Sequence, residues 1–351
     1  MCCISDMEIV GRYINSLECG LKMLSDVDII RSEFLLTLVI ASIVLTSVFV
    51  KSRYFHHALL FMISVYLLAI SMRSDLYNTD TANYHIYFEA VRSQSIIESL
   101  LTKIEPVHYV IINISNSFAE WIVIEYLIYL IVLALLMRNK SITTVALIVG
   151  CTLPLMSSSF RFAIGLVFCA YTYSIFIKYK NMSILSGLVG GLFHVSLFAA
   201  PLITRFSLSL IIFVLIAVGL LSYSPWFIER TSATGDIGLL SLVGVKTIIV
   251  AFVQFIYYRI CCDKNLFSDW ILEMYSYVVG MVVLFVFANM YLQVANRWMI
   301  LSMVLFAVRS DQAKSHSKAN NILESLFGFI MFAMLTFPQV VLIYMNDGWL
   351  E

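Results

Sequence analysis

The run WIVIEYLIYLIVLALLM at residues 121–137 settles the architecture. Apolar residues fill it without the two-residue alternation of a barrel strand. At about 1.5 Å per residue, a helix of that length approaches the roughly 30 Å hydrocarbon core of a bilayer. Comparable runs recur at 34–50, 56–72, 142–157, 160–177, 208–223, 241–258, 270–290 and 322–345, with a shorter one at 296–308. Of the 351 residues 61% are hydrophobic and 13% charged, about half the charge of an ordinary soluble domain. Too few polar residues remain to clothe a water-facing surface. The expected fold is all-α: a polytopic transmembrane helical protein with about 10 to 12 spans.

A net charge of zero gives no case for nucleic acid as a partner. The seven cysteines include two adjacent pairs, and two more lie within apolar runs, which argues against a disulfide or zinc framework. No Walker A motif, Rossmann fingerprint, H-E-x-x-H or paired C-x-x-C occurs, so neither a cofactor nor a metal is expected. Residues 1–32 are polar and mixed in charge, unlike a cleavable signal peptide. They form an N-terminal segment ahead of one transmembrane domain, 33–351.

Basic residues in short loops set the orientation. Lys51 with Arg53, Arg138 with Lys140, Lys178 with Lys180, Arg259 with Lys264, and Arg309 with Lys314 and Lys318 all belong on the cytoplasmic side. The N-terminal segment is then non-cytoplasmic, and parity constrains two ambiguous stretches. Only one crossing fits between Pro106 and Arg138, so 107–119 is expected to be an interfacial or re-entrant helix and 121–137 the span. Among the three apolar stretches between Lys180 and Arg259 one must turn back. The best candidate is 183–204, with Gly187, Gly190, Gly191, His194 and Pro201, a composition suited to two half-helices lining a cavity. The large loops 73–106 and 224–240 are then external.

The polar residues that interrupt this apolar text gather toward that external side. RSDLYNTDTANYHIYF (73–88) holds Arg73, Asp75, Asp80, Tyr84 and His85, and Glu105-Pro106 follows. Asp80 and Tyr84 are one helical turn apart and share a face. A guanidinium beside carboxylates suits a lipid-linked diphosphate and deprotonation of a sugar hydroxyl; the plainer alternative is a solvated loop in which Asp80 caps a helix. Arg161, in SSSFRFAIG, is either an interface anchor or a phosphate clamp. His194, in GGLFHVSLF, is either a hydrogen-bonded structural imidazole or part of a site. Arg297, in YLQVANRWM, poses the same choice as Arg161. Trp226, in the loop SPWFIERTSATGD, suits stacking on a sugar or a place in an aromatic belt.

Taken in order, these residues resemble the EpsG/Wzy-type polysaccharide polymerase family. The likeness rests on Arg73, Thr79-Asp80 and Tyr84 as an external R-x-x-x-x-G-T-D-x-x-x-Y-like motif, with Asn78 in place of the glycine. Glu105-Pro106 follows, then Arg161 at the start of a helix, His194 with Ser196, and Tyr291 with Arg297. It covers roughly residues 34–345. The resemblance implies a GT-C-like glycosyltransferase in the bacterial inner membrane, with its active site toward the periplasm. It would polymerise undecaprenyl-diphosphate-linked repeat units into O-antigen or a related surface polysaccharide, without nucleotide sugar or metal. Donor and acceptor lipid-linked glycans, membrane lipids and a chain-length regulator are the implied partners.

In that scheme His194 is the first choice for the base, with Asp80 or Glu105 next. Arg161 and Arg297 stabilise the departing diphosphate, Arg73 positions the acceptor's diphosphate or braces the acidic loop, and Tyr84 and Trp226 contact the glycan. A lipid-linked oligosaccharide flippase or transporter, an O-antigen ligase and a membrane acyltransferase are the competing readings.

Overall fold

The computed structural model of the chain describes residues 26–47, 52–71, 79–95, 105–138, 140–176, 183–194, 196–197, 242–261, 265, 267–272, 292–313 and 321–346. These residues are all helix and connecting turns, with no strand among them. In chain order the helices are α1 (Asp26–Thr46), α2 (Ser52–Ser71), α3 (Thr79–Arg92), α4 (Pro106–Ile114), α5 (Phe118–Met137) and α6 (Ile142–Ser158). They continue as α7 (Phe160–Phe176), α8 (Ser183–Phe193), α9 (Leu242–Cys261), α10 (Leu292–Ala313) and α11 (Asn321–Asn346). The expected run 208–223, most of 270–290, the loop 224–240, residues 1–25 and Arg73 lie outside the described residues.

The break between α4 and α5 follows from local chemistry. Pro106 occupies the first turn of α4, where its missing N–H would have no partner anyway. After nine residues, about 14 Å of helix, Ser115 ends it with its N–H on the Ile111 and Ile112 carbonyls. Ser117 then caps α5, its side chain accepting from the Glu120 N–H at 3.2 Å, while the Glu120 carboxylate accepts from the Asn116 N–H at 2.7 Å. This is a capping box shifted by one residue. It starts the helix three residues before the apolar run itself.

Which faces meet is legible from α5. Trp121, Glu125, Tyr129, Val132, Leu133 and Leu136 are buried, whereas Val123, Leu127, Ile131 and Leu135 point outward at four-residue spacing. A water-facing helix would carry polar residues on that outer stripe; here it is aliphatic. On α2 the same division leaves Phe61 and Leu68 outside and Leu59, Ile63, Leu67 and Ile70 inside. The segments Tyr54–Ser71 and Phe118–Met137 are long and apolar enough to cross a membrane.

Helices α6 and α7 form the centre, with Val145 to Val149 and Phe162 to Val167 buried on every side. The first packs on α11, the second on α5 and α8, and α11 in turn on α1 and α9. Helices α7 and α8 meet at Gly165 and Gly190. A Cβ on Gly165 would sit 3.0 Å from the Gly190 carbonyl oxygen, and one on Gly190 would sit 2.8 Å from the Cβ of Cys169. Only residues without a side chain let the two backbones approach this closely.

Polar contacts cluster at the two ends of the bundle, with Tyr129–Thr152 (2.7 Å) and Gln254 to the Met303 carbonyl (3.3 Å) between them. At one end Ser47 bonds Ser325 (2.9 Å), the Ser141 N–H donates to Asp311 Oδ2 (2.7 Å), Thr143 donates to the Glu324 carbonyl (2.9 Å) and Tyr258 meets Ser310 (2.5 Å). Arg138 just past α5, Lys140 just before α6, Arg259 on α9 and Arg309 on α10 belong to the same end. The opposite end, about 25 Å away along α6, carries the groups described next.

Candidate functional site

The site is built around a one-residue joint. Helix α6 ends at Ser158 and α7 begins at Phe160, so Ser159 serves both: its N–H bonds the Leu155 carbonyl, and its own carbonyl accepts from the Phe162 and Ala163 N–H groups. The Ser159 hydroxyl is thereby held at the positive end of α7. Arg297, six residues into α10, donates to that hydroxyl at 3.2 Å and lays its guanidinium over the Phe162 ring, 5.5 Å from the centroid.

His194 completes this cluster. It stands where α8 stops, its N–H still bonded to the Gly190 carbonyl and its own carbonyl accepting from the Leu197 N–H, a single tightened turn. Its ring meets the face of Phe162 edge-on at 5.3 Å and places Nε2 3.4 Å from Arg297 Nη1. Ser196 covers Nδ1, with its Oγ at 2.8 Å and its N–H at 3.3 Å. Arginine can only donate, so the ring is held as a neutral imidazole with a lone pair to offer. Ser196 thus holds the Nδ1 side of the ring with both its N–H and its Oγ, and the Nε2 side faces Arg297.

Two residues along α7, Arg161 points to the other side and bonds Glu105 at 2.5 Å. Glu105 precedes Pro106 at the start of α4 but does not cap that helix with its side chain, which Arg161 takes instead. Tyr84 and Tyr87 of α3 stand around the guanidinium with ring centroids at 5.3 and 4.6 Å, and Tyr84 also packs on Phe160 at 4.4 Å. The pair is not sealed: the Arg161 side chain is 21% exposed and that of Glu105 10%. Ser159 and Arg161, two residues apart at the start of α7, carry the two clusters on one turn.

A third cluster was not singled out from the sequence. His108 of α4 and Glu125 and Trp121 of α5 are fully buried. His108 Nδ1 lies 2.5 Å from Glu125 Oε1, and Trp121 Nε1 donates to the same oxygen at 2.9 Å. His108 Nε2 donates to the Phe193 carbonyl at 3.0 Å. The available signal was a carboxylate inside an apolar run, with a tryptophan four residues earlier on the same face.

Of the residues proposed from sequence, Glu105, Tyr84, Arg161, His194 and Arg297 come together at one end of the bundle. Asp80 lies in the first turn of α3, one residue past its start rather than at the cap. Its side chain, Arg73 and Trp226 are outside the described residues. Among the described residues no three His, Cys, Asp or Glu side chains converge to hold a metal ion. No family model matches the chain, and comparison with curated proteins and with solved structures gives no match.

Proposed function

We propose that the chain is a polytopic glycosyltransferase of the bacterial inner membrane, GT-C-like, that joins lipid-diphosphate-linked repeat units into a surface polysaccharide on the periplasmic side. The observation that carries the proposal is the convergence of His194, Arg297 and Ser159, with the Arg161–Glu105 pair alongside, at the end of the bundle opposite the basic residues. Charged and ionisable side chains are costly in a bilayer and are retained for a task. Their position at one end, rather than along a central path, favours chemistry on a lipid headgroup over transport.

In the proposed reaction an acceptor hydroxyl attacks the anomeric carbon of the donor glycan. The bond from that carbon to the diphosphate oxygen breaks, and the electron pair leaves with the lipid diphosphate. His194 Nε2 takes the hydroxyl proton, and Ser196 holds the ring through Nδ1. Arg297 supplies a planar fork of donors to the diphosphate. While it lies against His194 it occupies the lone pair that the base needs; a diphosphate that draws the guanidinium off exposes that lone pair. Arg161, with Glu105 balancing its charge, would stand on the far side of the Phe160–Phe162 turn and orient the second headgroup. Tyr84, packed between Phe160 and Arg161, braces that arginine, and the part of its ring left exposed would contact the glycan.

The test is deletion of the gene followed by a lipopolysaccharide gel. Loss of a polymerase leaves one repeat on the core, loss of a ligase leaves none attached, and loss of a flippase blocks external units. Complementation with Arg297→Ala or Arg297→Lys is expected to lose about 10² to 10³ in rate and His194→Ala about 10² to 10⁴. Wild-type chain lengths from these variants would sink the assignment.

A further inference from the structure

We infer that His108 and Glu125 form a positioning unit that sets the place of His194 by holding the Phe193 carbonyl. The catalytic part of this inference rests on the reading of His194 as the base. The positioning part does not.

The hydrogen-bond chemistry leaves little freedom. A backbone carbonyl only accepts, so His108 Nε2 must carry a proton to bond Phe193. The other ring nitrogen faces Glu125 Oε1. Either the ring is an imidazolium against a carboxylate or it is neutral against a carboxylic acid. Both descriptions give a neutral pair, and both keep the Nε2–H on the Phe193 oxygen. Trp121, donating to the same Oε1, prevents the carboxyl group from swinging away. The ring itself is boxed edge-on by Trp121, Phe160 and Phe193 at 6.5, 6.2 and 5.8 Å.

The location gives the arrangement its purpose. Phe193 is the last residue of α8, and its carbonyl is one of those a helix end leaves without an intrahelical partner. The next residue is His194. His108 therefore fixes the peptide from which the His194 side chain departs, and it does so from α4, whose first turn is tied to Arg161 through Glu105. Phe160, against the His108 ring, is the residue between Ser159 and Arg161. One buried ring thus references His194 to both halves of the site. Packing alone does not call for this pair, because apolar residues of similar volume commonly replace a buried ion pair without loss. The carbonyl bond is what they cannot supply.

The experiment uses the full chain in lipid nanodiscs with 15N-imidazole-labelled histidines. The chain has six histidines, and His194→Gln identifies the His194 signals by their loss. His108→Phe, which fills the space without a donor, and Glu125→Leu, which frees the ring to turn, should both shift the His194 signals. His108→Gln, whose amide can still donate to Phe193, should leave them in place. In cells, His108→Phe should shorten the polysaccharide as a displacement of about 1 Å does, roughly 10²-fold in rate, and His108→Gln should restore it. Unmoved His194 signals in His108→Phe and Glu125→Leu would overturn the inference. So would shifted signals in His108→Gln, which decides the matter even if the apolar variants do not fold. Should the wild-type chain make no polymer, the spectra still judge the positioning claim by themselves.

Discussion

Replacing Gly165 by alanine probes the link between helix packing and the site. The added Cβ would lie 2.6 Å from Leu197 Cδ1, 3.0 Å from the Gly190 carbonyl oxygen and 3.0 Å from Phe193 Cβ. The leucine terminus can rotate aside. The carbonyl and the Phe193 Cβ cannot, and each falls short of the 3.4 Å at which ordinary contact begins. Helix α8 must therefore move outward by several tenths of an ångström at its C-terminal end, where His194 sits. Overpacking of this kind costs about 1 to 3 kcal/mol. The same shift lengthens the Arg297–His194 contact, already 3.4 Å, and takes His194 off the Phe162 ring. Gly150→Ala is the matched control. Its Cβ would meet Leu335 Cδ1 and the Phe332 Cα at 3.1 Å, at the crossing of α6 with α11 rather than at α8. Thermal unfolding in detergent should show both variants destabilised by similar amounts. Modal polysaccharide length in a complemented deletion strain should fall for Gly165→Ala and hold for Gly150→Ala. If Gly165→Ala matched wild type in both measurements, the close approach of α7 and α8 would have no bearing on the site.

Two further perturbations address other parts of the structure. Glu105→Gln and Arg161→Met should each lower unfolding stability by about 1.5 to 3 kcal/mol, reduced by partial exposure of the pair; the double variant should lose less than the sum, and strict additivity would dissolve the pairing. Ile131 is 60% exposed on the aliphatic stripe of α5; Ile131→Arg should cost about 2.5 to 3.5 kcal/mol if lipid covers that face, against about 0.5 kcal/mol on a watery surface. The fraction of chain recovered folded in membranes reads the difference, and full recovery would argue that the stripe does not face hydrocarbon.

Sequence carried the helical architecture because each apolar run states its own length. Where it erred by a few residues, local polar chemistry was responsible: Ser117 and Glu120 begin α5 ahead of the run at 121. Arg161, His194 and Arg297 stood out because each breaks an apolar stretch. Their partners did not. Glu105 and Arg161 are 56 residues apart, and His194 and Arg297 103 apart, so no local pattern joins them. His108 escaped notice because a histidine in a short amphipathic segment looks like an interfacial residue. Only the fold puts the Phe193 carbonyl against its ring.

These residues converge because of where helices stop. Ser159 interrupts α6 and α7, His194 ends α8, and Glu105 opens α4. Each stop leaves backbone donors or acceptors without intrahelical partners, and in an apolar setting those groups must be met by side chains. His108 meets one of them directly, at the Phe193 carbonyl; Arg297 bonds the Ser159 hydroxyl beside another stop, and Arg161 engages the carboxylate at the third. The start of α7 adds its own partial positive charge beside Arg161 and Arg297. A dianionic headgroup entering there would find two guanidiniums and a helix terminus already oriented. On the proposed reading it would draw Arg297 from His194 and Ser159 and compete with Glu105 for Arg161.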